Sequence, residues 1–513
     1  MAFKQFILSL VLVSAVSTVR AQSKFNYSWV SGIFKTYIIV FNGAEMVFSD
    51  STHSINYLSL NGGTNICDSN GNVILMSNGC KVFNKNKVIL DNGDSIGGRD
   101  YLQYYNGFSL VPQTCLFLPF KDSVYYMPYC TASDTEFDKW MNVSGHDAVF
   151  DMMGYCKIDM KLNGGLGKVV EREIPLLQND TLSKSQMMAC KHANGKDWWV
   201  LKQARGANKV YKFLFTQDSV DYIGSQNFPE PVFSIFDQGG QSMFSQDGTK
   251  YATTCRGTGK VFVADFDRCQ GILSNPEVYN IPEQNCHNPL DTTLKETFTE
   301  GLAFSPNGQY LYIDMYFNIL QLDLLDTDSS TAWYHVAGLD TTWDAFQSYS
   351  NMYLAPDNRL YIGNFSNGSK QMSRIDNPDV KGVGCNFCPR CLRMPAAGIV
   401  APPHMPNYDL GIDTSMCWPL ENENVNEKEN LLSIYPNPAR NVLTIESDDL
   451  NRRENTVEVY NLLGQVLLSE RRKTSSGKID LDISSLKEGM YLLKIVTRSP
   501  QGVNEWVRKL IVE

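Results

Sequence analysis

Ser305-Pro306-Asn307-Gly308-Gln309, running into Tyr310-Leu311-Tyr312-Ile313, is the stretch on which the fold turns. Asn followed by Gly supplies two positions that tolerate positive φ, which a tight hairpin needs, and the residues after it alternate as a strand. The same phrase stands at Ser245-Gln246-Asp247-Gly248-Thr249 before Tyr251-Ala252, and at Ala355-Pro356-Asp357-Asn358-Arg359 before Leu360-Tyr361-Ile362. Earlier copies are Ala193-Asn194-Gly195-Lys196 before Trp198-Trp199-Val200, and Asp68-Ser69-Asn70-Gly71-Asn72 before Val73-Ile74-Leu75. From Gly195 through Gly248 and Gly308 to Asn358 the repeat is roughly 50–60 residues, the length of one four-stranded propeller blade with insertions. Two weaker units, Phe120–Tyr126 and Tyr155–Leu162 leading into Gly164-Gly165-Leu166-Gly167, fill the gap between the first two copies. Together they predict about seven blades, with six and eight as the neighbouring counts. A β-sandwich shares short strands and turns but has no need to repeat one phrase five times.

The composition agrees with an all-β chain: 25 Tyr, 26 Phe and 8 Trp accompany 37 Gly and 21 Pro in 513 residues. A formal charge of −10 excludes nucleic acid as a partner, because phosphate neutralisation needs a basic face. At the N-terminus Lys4 precedes the apolar run Phe6–Val16, and Val19 and Ala21 occupy the positions of a cleavage site. Residues 1–21 therefore read as a signal peptide, too short in its apolar part to span a bilayer. Residues 22–420 are expected to be the propeller. The acidic, polar run 421–430 cannot bury itself and reads as a linker. Seven short strand patterns follow in 431–513, the density of a small immunoglobulin-like sandwich.

Within that last segment stand Ser433-Ile434-Tyr435-Pro436-Asn437-Pro438-Ala439-Arg440, Val459-Tyr460-Asn461-Leu462-Leu463-Gly464-Gln465, Leu486-Lys487-Glu488-Gly489-Met490-Tyr491 and Arg508-Lys509-Leu510-Ile511-Val512. In this order they resemble the type A C-terminal sorting domain of type IX secretion cargo from Bacteroidetes. The resemblance makes Tyr435, Pro436, Asn437, Pro438, Gly464, Gln465, Gly489, Tyr491 and Lys509 the sorting motif. It implies the type IX machinery and its sorting protease as partners, passage through the periplasm, and a final place in the medium or on the outer-membrane surface. Ile66–Ile74 with Ser77–Asn84, and Tyr353–Asp357 with Ile375–Pro378 and Met405–Tyr408, are similar to propeller-like ectodomains of Bacteroidetes surface proteins. That second resemblance implies architecture and no activity.

All thirteen cysteines lie beyond Ala21, and an exported chain favours disulfides. Cys67 and Cys80 flank a turn, as do Cys255 and Cys269, and each pair is a candidate bridge. Cys385, Cys388, Cys391 and Cys417, with His404 between the last two, have zinc-ligand types. Their spacing is not the usual two-knuckle arrangement, so disulfides are expected there and no metal or cofactor.

No constellation of catalytic residues emerges. The six His show no paired-ligand spacing, no G-x-S-x-G elbow occurs, and Gly164–Lys168 lacks the first Gly and the Ser or Thr of a phosphate loop. Binding of a glycan or protein ligand is the expected activity, with Trp198, Trp199, Trp333 and Trp343 as candidate stacking residues, although any one such ring is better placed as filler between blades. The alternative is a hydrolase or lyase whose carboxylates converge on the channel, for which Asp265, Asp267, Asp314 and Asp323 are candidates.

Overall fold

A computed structural model describes residues 24–512 except 32–36, 43–44, 51–62, 105–106, 108, 110, 146–148, 230–239, 289–290, 296–297, 329–330, 339–347, 365–369, 395–400, 414–431, 448–449, 452, 462–464 and 500–501. The signal-peptide and linker readings, Trp343, Cys417 and Gly464 lie outside the described residues. The chain divides into two compact units, Met1–Cys417 and Trp418–Glu513.

In the first unit the described strands of each sheet follow one another in sequence and pair antiparallel, so every sheet is a meander. The sheets begin with Ser28–Ser31, Thr64–Cys67, Leu118–Pro119, Ser242–Phe244, Leu302–Phe304 and Tyr349–Leu354, with a small two-stranded insertion at His287–Lys295. The repeated phrase links one strand of a meander to the next, and its two Ser-led copies make the same hydrogen bonds. Ser245 Oγ donates to Asp247 and accepts the Lys250 amide at 2.9 Å; Ser305 Oγ donates to Asn307 and accepts the Tyr310 amide at 2.9 Å. Gly248 and Gly308 both take φ +73°, the conformation for which the phrase reserves a residue without a Cβ.

One feature departs from separate blades. Lys168–Lys191 is a single 24-residue strand that pairs with Phe150–Asp159 over its first part and with Trp198–Ala204 over its last. Left-handed residues at Glu173, Asn179 and Gln186 and register shifts along it bend the strand from one meander into the next.

Neighbouring meanders touch through these inner strands: Lys168–Lys191 against Ser242–Phe244, then Leu302–Phe304, then Tyr349–Leu354, and Ser28–Ser31 against Thr64–Cys67. Meanders stacked through their first strands form a propeller. The returning segment 401–413 completes the ring: the His404 amide donates to Gly63 O at 2.8 Å, and the Ser31 hydroxyl donates to Ala401 O at 3.1 Å.

Buried amides tie the inner strands together. Gln241 Nε2 donates to Met352 O at 2.7 Å, while its Oε1 accepts from Leu302 N, Met352 N and Asn351 Nδ2 at 3.1, 3.1 and 3.3 Å. Gln113 likewise accepts the Ser242 amide and donates to Ser242 O and the Tyr353 hydroxyl.

Seven described strands of the second unit form two sheets. Ser433–Tyr435, Val442–Glu446 and Lys478–Asp482 form one; Val466–Lys473, Glu454–Tyr460, Gly489–Ser499 and Gly502–Val512 form the other in that order. Alternation along the strands places Leu443, Ile445, Val457, Val459, Leu481, Leu493 and Ile495 in a common core.

Gln241→Ala takes the side-chain partner from the buried Leu302 and Met352 amides and from Met352 O, each costing on the order of 1 kcal/mol or more, and leaves Asn351 Nδ2 with Glu300 O alone. The expected outcome is a loss of about 3–4 kcal/mol in urea unfolding of the full chain. A loss below about 1 kcal/mol would show that these bonds are replaced by water.

Candidate functional site

The turn Arg256–Gly259, the start of Leu302–Phe304 and the end of Tyr310–Asp314 bring one arginine and two acids together. Arg256 Nη2 contacts Glu300 Oε1 at 2.8 Å, and the guanidinium lies over the Phe298 ring, 4.9 Å from its centre. Asp314 is fully buried. Its backbone is locked against the neighbouring strand, the Glu300 amide donating to Asp314 O and the Asp314 amide to Gly301 O. One carboxylate oxygen, Oδ1, accepts the Tyr316 amide at 3.0 Å, while Oδ2 has no well-aligned hydrogen bond among the described residues, the Gly301 amide being the other backbone group beside the carboxyl. Arg256 Nε and Thr299 Oγ1 are also without hydrogen-bond partners among the described residues. Gly301 is what lets the acid in, since a Cβ there would stand 2.3 Å from Asp314 Oδ2 and 2.7 Å from Ser350 O.

Burial holds the Asp314 carboxyl well above the usual carboxylate range, and the neighbouring Glu300 adds to the effect. Burial also raises Glu300, opposed by Arg256. With two acids and one cation out of water, burial favours the neutral form of Asp314, and the Arg256 guanidinium lies beside the Glu300 carboxyl.

The other acids singled out in the sequence do not join it. Asp265 pairs with Lys250 at 2.7 Å, Asp267 accepts the amides of its own turn from Cys269 and Gln270, and Asp323 pairs with Lys381 at 3.2 Å. Arg256 and Glu300 were not legible as site residues. Glu300 stands two residues before Leu302–Phe304, whereas Gln241 stands one before Ser242–Phe244, so no shared offset marked it in the sequence.

The tryptophans correct the stacking expectation. Trp198 and Trp199 are buried, on a strand covered on both faces; their indole N–H groups donate to Pro119 O and Arg268 O. Trp198 packs edge-on against Tyr408, and Gly271 lies directly against the Trp199 ring. Trp333 is half-buried on the outer strand Trp333–Ala337.

The hairpin disulfides are corrected as well. Cys67 and Cys80 are free thiols, as is Cys255, while Cys269 is disulfide-bonded to another residue. In each case one strand separates the two cysteines along its length. Cys67 lies at the turn before Val73–Ser77 and Cys80 at the turn after it; Lys260–Asp267 separates Cys255 from Cys269 in the same way. Five to eight residues of strand span roughly 17–27 Å, far beyond a disulfide. Cys385, Cys388 and Cys391 are also free thiols, and His404 lies apart from them, 2.8 Å from the Tyr353 hydroxyl, with burial pushing its pKa down to about 3. Among the described residues no group of three or more His, Cys, Asp or Glu is placed to hold a metal ion.

In the second unit, motif residues far apart in sequence meet along the last strand. Asn437 Nδ2 donates to Lys509 O at 2.8 Å and its Oδ1 accepts the Ile511 amide at 2.9 Å. Ala439 bridges to Val512, which also pairs with Gly489. Tyr435, Pro436, Asn437, Pro438, Gln465, Gly489 and Lys509 are exposed, whereas Tyr491 is buried with its hydroxyl donating to Lys487 O at 2.6 Å.

A buried acid whose pKa is raised on folding makes the folded chain bind more protons than the unfolded one, in which an Asp titrates near about 3.9. The stability tied to Asp314 is thus complete below about pH 4 and falls as pH rises through the higher folded value, Glu300 acting in the same direction. Asp314→Asn should flatten that decline in urea midpoints measured between about pH 4 and pH 7. Parallel declines in variant and wild type would remove Asp314 as the protonated group.

No curated protein sequence matches the chain. It is similar in structure to a putative 6-phosphogluconolactonase from Bacteroides uniformis, at 12% identity over 76% of this chain and 99% of that one, with a TM-score of 0.40. A periplasmic gluconolactonase of Pseudomonas aeruginosa gives 12% identity over 95% and 96% of the two chains, with a TM-score of 0.34. A functionally unknown protein from Desulfotomaculum acetoxidans gives 11% over 74% and 99%, with a TM-score of 0.40. Likeness at this level carries no functional assignment. Residues 433–513 match the family model of the secretion system C-terminal sorting domain, the unit in which Asn437 and Gly489 meet the last strand, and the chain is cargo of the type IX secretion system.

Proposed function

We propose that this exported cargo acts outside the cell by binding an oxygen-rich ligand, a glycan, where Arg256, Glu300 and Asp314 converge. The unpartnered Asp314 Oδ2 and Arg256 Nε beside Glu300 carry this reading, because buried polar groups are ordinarily paired and such groups suit the hydroxyls and ring oxygens of a sugar. Phe298, exposed beside Arg256, adds an apolar face of the kind on which sugar rings stack. Each meander is read as one blade. On the domain scale, the proposal is a signal peptide at 1–21, a propeller at 22–420, a linker at 421–430 and a sorting domain at 431–513 that the type IX machinery recognises and its protease removes after passage through the periplasm.

The second reading, hydrolysis or lyase chemistry, is favoured by one observation: two neighbouring carboxyls, the fully buried one held protonated, can divide acid and base roles. Binding of soluble oligosaccharides, neutral and uronic, to the full chain separates the two. Arg256→Ala and Glu300→Gln are expected to weaken binding at least about tenfold, the scale of one lost charge-assisted hydrogen bond. Turnover of any such oligosaccharide that Glu300→Gln abolishes would move the assignment to catalysis.

Removal of 431–513 in a host with the type IX system should keep the remainder out of the medium and off the cell surface while leaving the propeller folded. Immunoblots of medium, surface-protease-treated cells and periplasm check this, and undiminished release of the truncated chain would contradict it.

A further inference from the structure

Cys388 and Cys391 lie on Phe387–Arg393, the outermost described strand of its sheet. In a regular strand, residues three apart stand roughly 10 Å from one another and point to opposite faces. Here the strand does not run regularly. Met372 pairs with Leu392 and Arg374 with Cys388, so two steps on one strand face four on the other and Pro389-Arg390-Cys391 is thrown out as a bulge. Arg390 takes φ +52°, and its amide is held by Ser373 Oγ at 3.0 Å; Pro389 has no N–H to give the ladder.

The bulge folds Cys391 back on Cys388. Its Sγ comes within 3.4 Å of the Cys388 carbonyl, and the two side chains interact directly. Cys391 is exposed and Cys388 half-buried, whereas every other free thiol among the described residues is buried. This pair alone among those thiols combines proximity with access to solvent.

We propose that Cys388-Pro389-Arg390-Cys391 is a redox-active surface dithiol that closes to a disulfide by exchange with an external disulfide. A thiolate of the pair attacks one sulfur of that disulfide, forming a mixed disulfide and releasing the other sulfur as a thiol once protonated. The second thiol of the pair gives up its proton and attacks the mixed disulfide, forming the Cys388–Cys391 bond and releasing the second external thiol. Two electrons and two protons pass from the dithiol to the disulfide, which is the oxidant. The pair attacks as a monoanion: burial and the adjacent Cys388 sulfur push the Cys391 thiol up to about 12, so both protons are not lost together. Arg374 opposes that rise and favours the anion.

The full chain, equilibrated in graded ratios of reduced to oxidised glutathione, quenched with iodoacetamide and cut with trypsin, tests this. Cleavage after Lys381, Arg390 and Arg393 separates the two cysteines, so the bond appears as peptide 382–390 linked to peptide 391–393. The expected result is a linked species with a defined midpoint, abolished by dithiothreitol, whose fragmentation places the bond at Cys388 and not Cys385. Cys385→Ser should retain it, and Cys388→Ser should carry only glutathione on Cys391. Separate alkylation of both cysteines of the wild type at every ratio, or a bond from Cys391 to Cys385 or Cys417, would overturn the proposal without reliance on any variant.

Discussion

The propeller depends on glutamine amides that hold its inner strands at fixed spacing. Inner strands are too short to secure one another by apolar contact alone: Ser242–Phe244 and Leu302–Phe304 have three residues each. Gln241 supplies what they lack, joining its own strand to Leu302 on one neighbour and to Met352 and Asn351 on the next. Fully satisfied, such a buried network specifies register; left half-satisfied it would be worse than an apolar core. The same network leads to the candidate site. Asn351 Nδ2 donates both to Gln241 Oε1 and to Glu300 O, at 3.3 Å in each case, so the backbone that carries Glu300 is fixed by the group that fixes the strands. Preorganisation of the acid is therefore a by-product of closing the ring.

The five-residue phrase was legible because its chemistry is local. A Ser hydroxyl, an Asx side chain and a residue at positive φ determine one another within a few positions, and the structure repeats them bond for bond at Ser245 and Ser305. The disulfides were not legible for the opposite reason. Spacing across a turn looks the same whether two cysteines face each other over the hairpin or sit at the two ends of a strand, and Cys67 and Cys80 are of the second kind. Trp198 and Trp199 carried a readable warning, standing in the unbroken apolar run Trp198-Trp199-Val200-Leu201, which lacks the alternation of a half-exposed strand. Arg256 and Glu300 meet only through the stacking of two meanders, and no local pattern encodes that.

The C-terminal unit shows the other extreme. Its inner strands alternate buried and open positions, and several of the residues expected to form the sorting motif meet only in three dimensions. Asn437 spans to Lys509 and Ile511, and Val512 is shared by Ala439 and Gly489. The first segment of the unit is held to the last strand by the Asn437 side chain, which uses both its donor and its acceptor.

The cysteines show why compartment alone does not decide oxidation state. An exported chain meets oxidants, but exchange proceeds through a thiolate that the oxidant can reach. Burial pushes the Cys67, Cys115, Cys156 and Cys190 thiols up, as it does Cys391, so what sets the core thiols apart is that no oxidant reaches their sulfurs. Each is also out of contact with solvent or nearly so. Once folded, these residues behave as small apolar side chains in the core, and the apolar contacts they make oppose the movement a new bridge would require. Among the free thiols of the described residues, the exported environment therefore reaches the surface bulge at Cys388 and Cys391 and passes over the interior, so that the same residue type is packing material in the sheets and open to exchange where a strand breaks its register.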